Sequence, residues 1–402
     1  VPSADDATSP INLHRLGRVR ILRALSENAY LSRADLVTHT GLARASVGSM
    51  VLDLINAGLV EETADDAAAA GADPTARAGR PPQLLSLAPA AAYALGVDIG
   101  HDHVRIILTD LSGTPIWDQS ENLDVDHERA RALDVAARFI EAAVADTAVP
   151  RGKILGLGVG IACPVSADGD LAAGGIMPEW DGARRADKLA SCSGFPARIV
   201  NGANAGVLAE QRFGAAREAA DVLYLRLSAG IGAGVISGGR VLLGSGGFAG
   251  ELGHVTVDPN GAVCRCGNRG CLETVASPPA LAALLTRSWG RPVSDEELAG
   301  LLRDGDRGTL RAVEDGGEAI GRVLAPAVLL LNPSLIVIGG DLAAAGEPLF
   351  EPMRRALTRG VMGMHARELR IVPSALGDRA GVLGAAALIL DDAPRLLGTD
   401  SA

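Results

Sequence analysis

The period of hydrophobic positions changes along the chain. In INLHRLGRVRILRAL, Leu13, Leu16, Val19, Ile21, Leu22 and Leu25 fall near one stripe at helical spacing. Ser32 stands at the expected N-cap of a second helix, SRADLVTHT, with Asp35 at the capping-box position and Gly41 as the stop. ARASVGSMVLDLINAG predicts a third helix, with Val47, Val51, Leu54 and Ile55 inward and Gly58 at its end. Three short helices with a tight glycine turn between the second and third predict helix-turn-helix geometry. Residues 61–80 are low-complexity and stand where a winged helix places a mobile hairpin. The prolines of GRPP extend the chain, QLLSL reads as the returning strand, and the first domain is expected to cover residues 10–88.

From residue 94 the pattern becomes α/β. ALGVDIG and VRIILTDLSG predict strand, glycine turn, strand. Residues 127–147 read as a helix, ILGLGVGIA as a buried strand and 203–215 as a helix. VLYLRLSAGIGAGVISGGRVLLG repeats strand, glycine turn, strand. Helices are expected over 278–303, over 308–331 with a kink at Pro326, and over 380–391, with SLIVIGG a strand. Two glycine hairpins, at Asp98-Ile99-Gly100 and at 228–234, suggest a duplicated fold of two lobes around a cleft.

Length and composition narrow the class. A chain of 402 residues holds two to four domains, and 48% hydrophobic with 21% charged residues excludes global disorder. No uncharged apolar run reaches the roughly 18–20 residues that span a bilayer. The acidic VPSADDATSP lacks a signal peptide's apolar stretch, so a cytoplasmic protein is expected. Lysine occurs only at 153 and 188, which reads as coding bias from a GC-rich genome, not as RNA binding. The net charge of −11 excludes a uniform nucleic-acid coat, yet residues 11–60 carry six arginines against three acids.

The cysteines are more informative. Cys163 and Cys192 are scattered; in GELGHVTVDPNGAVCRCGNRGCLET, Cys264, Cys266 and Cys271 cluster downstream of His254. An odd count with one tight cluster points to metal, not a disulfide framework. One imidazole and three thiolates are the donors tetrahedral zinc takes, and four protein ligands leave no open position, so a structural Zn(2+) is expected. Cys163 has no nearby base or cation in sequence and reads as a small buried hydrophobe, and His101 and His103 read as solvated loop histidines.

The segment from Gly250 to Glu273 closely resembles the signature of the ROK family (repressors, open reading frames, kinases). The resemblance runs from about residue 94 to the C-terminus, and the N-terminal module resembles the winged helix of the family's repressor branch. It implies an actin-like (ribonuclease H-like) body, with lobe 1 over 89–200 plus 380–398, lobe 2 over 201–379, and a sugar in the cleft. Family sugar contacts carry over to Asn201, Glu251, His254 and Glu273, whose oxygens and nitrogens suit vicinal hydroxyls.

Departures from the family's kinases point away from catalysis. Their sugar-site loop reads Glu-Asn-Asp-Ala-Asn, and its Asp is the general base. Here the loop is Val200-Asn201-Gly202-Ala203-Asn204, and Gly202 cannot take a proton. The first phosphate loop, usually Asp-Ile-Gly-Gly-Thr, is Asp98-Ile99-Gly100-His101-Asp102, which adds bulk and negative charge. Ala229 replaces a usual Thr in the second loop, and Ala162-Cys163 replaces a usual Pro-Gly in a third.

In the head, the third helix is expected to read the major groove through Arg44, Ser46 and Ser49, with Arg33 on phosphate and Arg80 reaching a minor groove from the wing. The leading expectation is a sugar-responsive, non-enzymatic transcription regulator, a repressor acting on operator DNA as a homodimer or homotetramer. The alternatives are a sugar kinase with a fused DNA-binding head, and a regulator that no longer binds sugar. Gly202 is expected to enlarge the cleft, favouring a pentose such as xylose or a sugar substituted at its sixth carbon.

Overall fold

The computed structural model describes residues 10–63, 83–172, 174–180 and 193–399. The head comprises α1 (Pro10–Glu27), β1 (Leu31–Ser32), α2 (Arg33–Thr40), α3 (Arg44–Asn56), β2 (Val60–Thr63) and β3 (Leu84–Leu87), with strand order β1-β3-β2. The Ser32 hydroxyl accepts from the Asp35 amide and the Asp35 carboxylate accepts from the Ser32 amide at 2.9 Å, the reciprocal capping box. Gly41 ends α2 at φ 66°, backbone that a side chain would strain. Ile21, Leu22, Leu25, Leu36, Val47, Val51, Leu54 and Leu85 form the head's core, and burying each such side chain stabilises by roughly 1.5–3 kcal/mol.

The head differs from expectation at α1. Leu13 and Leu16 are 56% and 54% exposed, because the helix begins before the three-helix core does. On α3, Met50 is buried over Gly17, while Ile55, expected inward, is only half-buried. The expected wing is described only as far as Thr63 on its first side; residues 64–82, with Arg80, lie outside the described residues.

The body repeats one topology twice. β4 (Tyr93–Ile99), β5 (His103–Asp110), β6 (Pro115–Asn122), α4 (Arg129–Thr147), β7 (Ile154–Ile161) and β8 (Ala197–Asn201) give a sheet ordered β6-β5-β4-β7-β8. After α5 (Gly202–Phe213) come β9 (Val222–Leu227), β10 (Ile231–Ser237), β11 (Arg240–Val241), α6 (Glu273–Ala276), α7 (Pro278–Trp289), α8 (Asp295–Arg303) and α9 (Arg307–Leu331). β12 (Leu335–Gly339), α10 (Glu347–Gly360), α11 (Gly363–Glu368), β13 (Arg370–Pro373), α12 (Ala380–Leu390) and α13 (Ala393–Thr399) complete the order. The second sheet reads β11-β10-β9-β12-β13. Each sheet joins an antiparallel three-stranded meander to two parallel strands.

α5 and α12 pack together where the two sheets meet, α12 against β4 and β7, α5 against β9 and β10. The approach is backbone to backbone: a Cβ at Gly384 would fall 1.7 Å from the Ala205 carbonyl oxygen, and one at Gly158 1.8 Å from that of Ala385. Gly290, at φ 67°, splits the expected 278–303 helix into α7 and α8. α9 runs on through Pro326 to Leu331, while α10, α11 and α13 carry no sequence expectation. α13 joins body to head: Gly398 lies against Val19, Arg15 Nη2 donates to the Thr399 carbonyl, and Leu397 packs against both hydrophobic cores.

Candidate functional site

The loop between β11 and α6 brings one imidazole and three thiols together. The donor atoms of His254, Cys264, Cys266 and Cys271 all lie within 4.8 Å of one another. Cys264 Sγ is 3.6 Å from His254 Nδ1, and Cys266 Sγ is 3.7 Å from Cys271 Sγ. Donors about 2.0–2.3 Å from one tetrahedral ion stand roughly 3.5–3.8 Å apart, so the cluster fits a metal of zinc's size. Gly270, at φ 64°, makes the loop possible, since a Cβ there would fall 1.5 Å from the Asp258 carbonyl oxygen.

The cluster abuts a cleft between the sheets. With His254 Nδ1 turned to the thiols, Nε2 faces the cleft, 3.9 Å from Glu251 Oε2. Glu273, at the start of α6, accepts from the Ile231 amide at 3.0 Å and lies 3.4 Å from Arg265 Nε. Asn201 caps α5, its Oδ1 accepting from the Ala203 and Asn204 amides while Nδ2 donates to the Cys163 carbonyl. Asn201, Glu251, His254 and Glu273 therefore all line one cleft. Burial, then the charge of Glu273, raises the Glu251 carboxyl to about 7.

The cleft's floor holds a network that sequence reasoning missed. Arg226 on β9 donates to Asp98 on β4, from Nη2 to Oδ2 at 3.0 Å and from Nη1 to Oδ1 at 3.3 Å. His103 Nε2 is 3.4 Å from Asp98 Oδ2, and its Nδ1 is 2.7 Å from Asp102 Oδ1. Burial opposes ionisation of Asp98, but Arg226 and His103 outweigh it and hold the carboxyl far below its usual range. Burial likewise disfavours charged His103, yet its bonds to Asp102 and Asp98 raise it to about 9.

Two expectations change at this floor. His101 and His103 are not solvated: their side chains are 10% and 21% exposed, and His101 Nδ1 sits 2.7 Å from Asp126 Oδ1. Nor does Gly202 leave room, because a Cβ there would stand 3.0 Å from Arg226 Nη1. Arg226 gives no local signal, since its partner lies on the other sheet. Arg265 gives one, as the residue enclosed by Cys264 and Cys266. Cys163 is buried, and burial, followed by the charges of Glu251 and Asp126, pushes its thiol up to about 12, matching the inert hydrophobe expected.

On the head, Arg44 and Ser49 are exposed on the first turns of α3, and Ser46 is half-buried. Arg33 is paired with Glu62 on β2 at 2.6 Å. Gly48 faces open space.

A winged helix-turn-helix head ahead of a duplicated two-lobed α/β body, with a His/Cys cluster beside the cleft, defines a head-and-body architecture on an actin-like scaffold. The chain belongs to the ROK family, whose description matches residues 94–392; a winged helix-turn-helix DNA-binding description matches residues 18–61. The xylose repressor of Bacillus subtilis is 31% identical over 377 residues, covering 92% of this chain and 94% of the relative. A glucokinase of Thermotoga maritima is 37% identical, but over 58% of this chain and 78% of the kinase. Among solved structures, a ROK family transcriptional regulator described as a homologue of the Escherichia coli MLC protein matches with TM-score 0.76 and 27% identity, over 96% of this chain and 98% of that one.

Proposed function

We propose that this protein is a sugar-responsive, DNA-binding transcriptional regulator, a repressor of carbohydrate-use genes, whose kinase-like body binds a sugar without phosphorylating it. The observation that carries this reading is at residue 202. Where the kinase pattern places a proton-accepting carboxylate, the chain has Gly202, and Arg226 Nη1 stands 3.0 Å from where a Cβ would be. A guanidinium accepts no proton at any physiological pH, so the attacking hydroxyl has no base there. The full-length match to repressors, against the partial match to a kinase, supports the same reading.

Asn201, Glu251, His254 and Glu273 are the proposed sugar contacts, and His254, Cys264, Cys266 and Cys271 the proposed ligands of a structural zinc. The ion would neutralise the thiolates and fix the imidazole through Nδ1, leaving Nε2 as an oriented hydrogen-bonding group for a sugar hydroxyl. Arg44, Ser46 and Ser49, with Arg33 and Arg80, are the proposed DNA contacts, Arg44 suiting guanine O6 and N7. A homodimer or homotetramer in the cytoplasm would place two heads on two half-sites. Sugar binding that favours one lobe angle would move α12, and α13 would carry that movement to α1, provided affinity differs between the two states.

Fluorescence anisotropy on the protein's own upstream DNA, at fixed salt with and without a panel of sugars, tests this reading. Specific binding altered by one sugar is the expected result. ADP release with a hexose that disappears in Glu251→Ala would overturn the reading in favour of a kinase.

A further inference from the structure

We propose that Arg226 is a specificity-determining residue of the cleft: tethered to Asp98, its guanidinium forms the wall at the residue-202 end and sets how long a neutral sugar fits. The inference rests on the sugar-cleft reading above.

Three elements make room for this guanidinium. Asp98 on β4 holds it through both terminal nitrogens. At the start of α5, Gly202 would bring a Cβ to 3.0 Å from Nη1. At the start of α12, Gly381 would bring one to 2.4 Å from Asp98 Oδ2 and 3.0 Å from Arg226 Nη1. A side chain at Gly381 would displace the pair, while one at Gly202 would press against the guanidinium, so the position of the guanidinium is determined by its surroundings. Arg226 also lines a neighbouring cavity of about 380 Å³, and with Asp102, His103, Ser228 and Ala229, which line both, it separates that cavity from the sugar cleft.

The chemistry of this wall selects a ligand class. One Nη1 hydrogen is directed to Asp98, which leaves the other for a ligand oxygen. The positive charge itself is neutralised by Asp98, and His103 is likewise paired with Asp98 and Asp102. Glu251 and Glu273 face the same space. A phosphorylated sugar would bring a dianion toward carboxylates and paired cations. A neutral sugar asks only for a hydrogen-bond donor.

Calorimetric titration of the intact protein with D-xylose, D-glucose and glucose 6-phosphate tests the assignment in three forms. These are the parent, Gly202→Ala, and Arg226→Met combined with Asp98→Asn so that no buried carboxylate is left unpaired. The parent should bind a neutral sugar and take glucose 6-phosphate at least about ten-fold more weakly than glucose. The double variant, with its wall removed, should shift the glucose-to-xylose affinity ratio toward glucose by about ten-fold. Gly202→Ala, which narrows the same end, should shift the ratio toward xylose. A merely structural role would lower the melting temperature without moving this ratio. Unchanged ratios in a folded Gly202→Ala protein, or preference for glucose 6-phosphate, would overturn the assignment alone. A parent that binds none of the three would overturn it together with the sugar-cleft reading.

Discussion

Arg265 and Asp126 pair across the two lobes, Nη1 to Oδ2 at 3.0 Å. Arg265 sits between Cys264 and Cys266, so the residue that reaches the first lobe is flanked on both sides by members of the His/Cys cluster. Its Nε also lies 3.4 Å from Glu273, a proposed sugar contact. Cluster, interlobe ion pair and Glu273 are thus joined through one residue.

Removing the metal should therefore reach beyond the loop. In Cys266→Ser, or after chelation, we expect the metal-to-protein ratio to collapse, the melting temperature to fall and sugar affinity to drop by about 10–100-fold. Elemental analysis with calorimetry reads all three. Full sugar affinity in a demonstrably metal-free protein would contradict the link.

Arg44 stands exposed on the first turn of α3, while Arg33 is already paired with Glu62. Arg44→Ala should cost about 1–3 kcal/mol of operator binding and relax preference at one base pair. Replacing an arginine that only touches phosphate would instead weaken all sequences alike and flatten the salt slope. Anisotropy titrations on operator variants at several salt concentrations separate the two. A uniform weakening for Arg44→Ala would move it to the backbone class.

His103 makes stability depend on pH. Its folded value of about 9 exceeds the ordinary 6.5. The protonated form is thus favoured by folding, and its contribution is fully present below about 6.5 and is lost as pH rises through about 9. The shift corresponds to an effect on the order of 3 kcal/mol. Urea midpoints should fall across that interval in the parent and much less in His103→Gln; identical slopes for the two proteins would refute the assignment.

Gly398 packs against Val19, where a Cβ would lie 2.6 Å from Cγ2 and 3.1 Å from the backbone nitrogen. Gly398→Leu should lift α13 from α1. DNA affinity without sugar should change by less than about three-fold, while the sugar-induced change should shrink toward none. An intact sugar response in this variant would mean that the signal reaches the head by another route.

Local chemistry makes much of this fold legible in the sequence. The capping box at Ser32 and Asp35, the stop at Gly41, and both glycine hairpins depend on neighbours within a few residues, so their signals are in plain sight. The cysteine spacing is equally direct, because three thiols in eight residues converge without help from distant chain. Leu13 and Leu16 mislead because helical periodicity shows which residues share a face, not whether anything covers it. α10 escapes notice because Pro348 and Pro352 obscure a helix that α9 buries through Leu349, Phe350 and Met353. Arg226 is invisible for a different reason: its meaning lies in Asp98, on another sheet, and in two glycines that only folding brings beside it.

Gly202 and Arg226 also constrain each other's replacement. Gly202→Asp alone would place a carboxylate in the loop, but its Cβ would arrive 3.0 Å from a guanidinium. The new acid would form an ion pair with Arg226, with its pKa held down, and would be a poor proton acceptor. Replacing Arg226 first would strand Asp98 as a buried, underpaired charge, a strongly destabilising intermediate. Neither single change gives the loop a free proton acceptor, so the two neighbours are coupled: each limits what replacing the other can do.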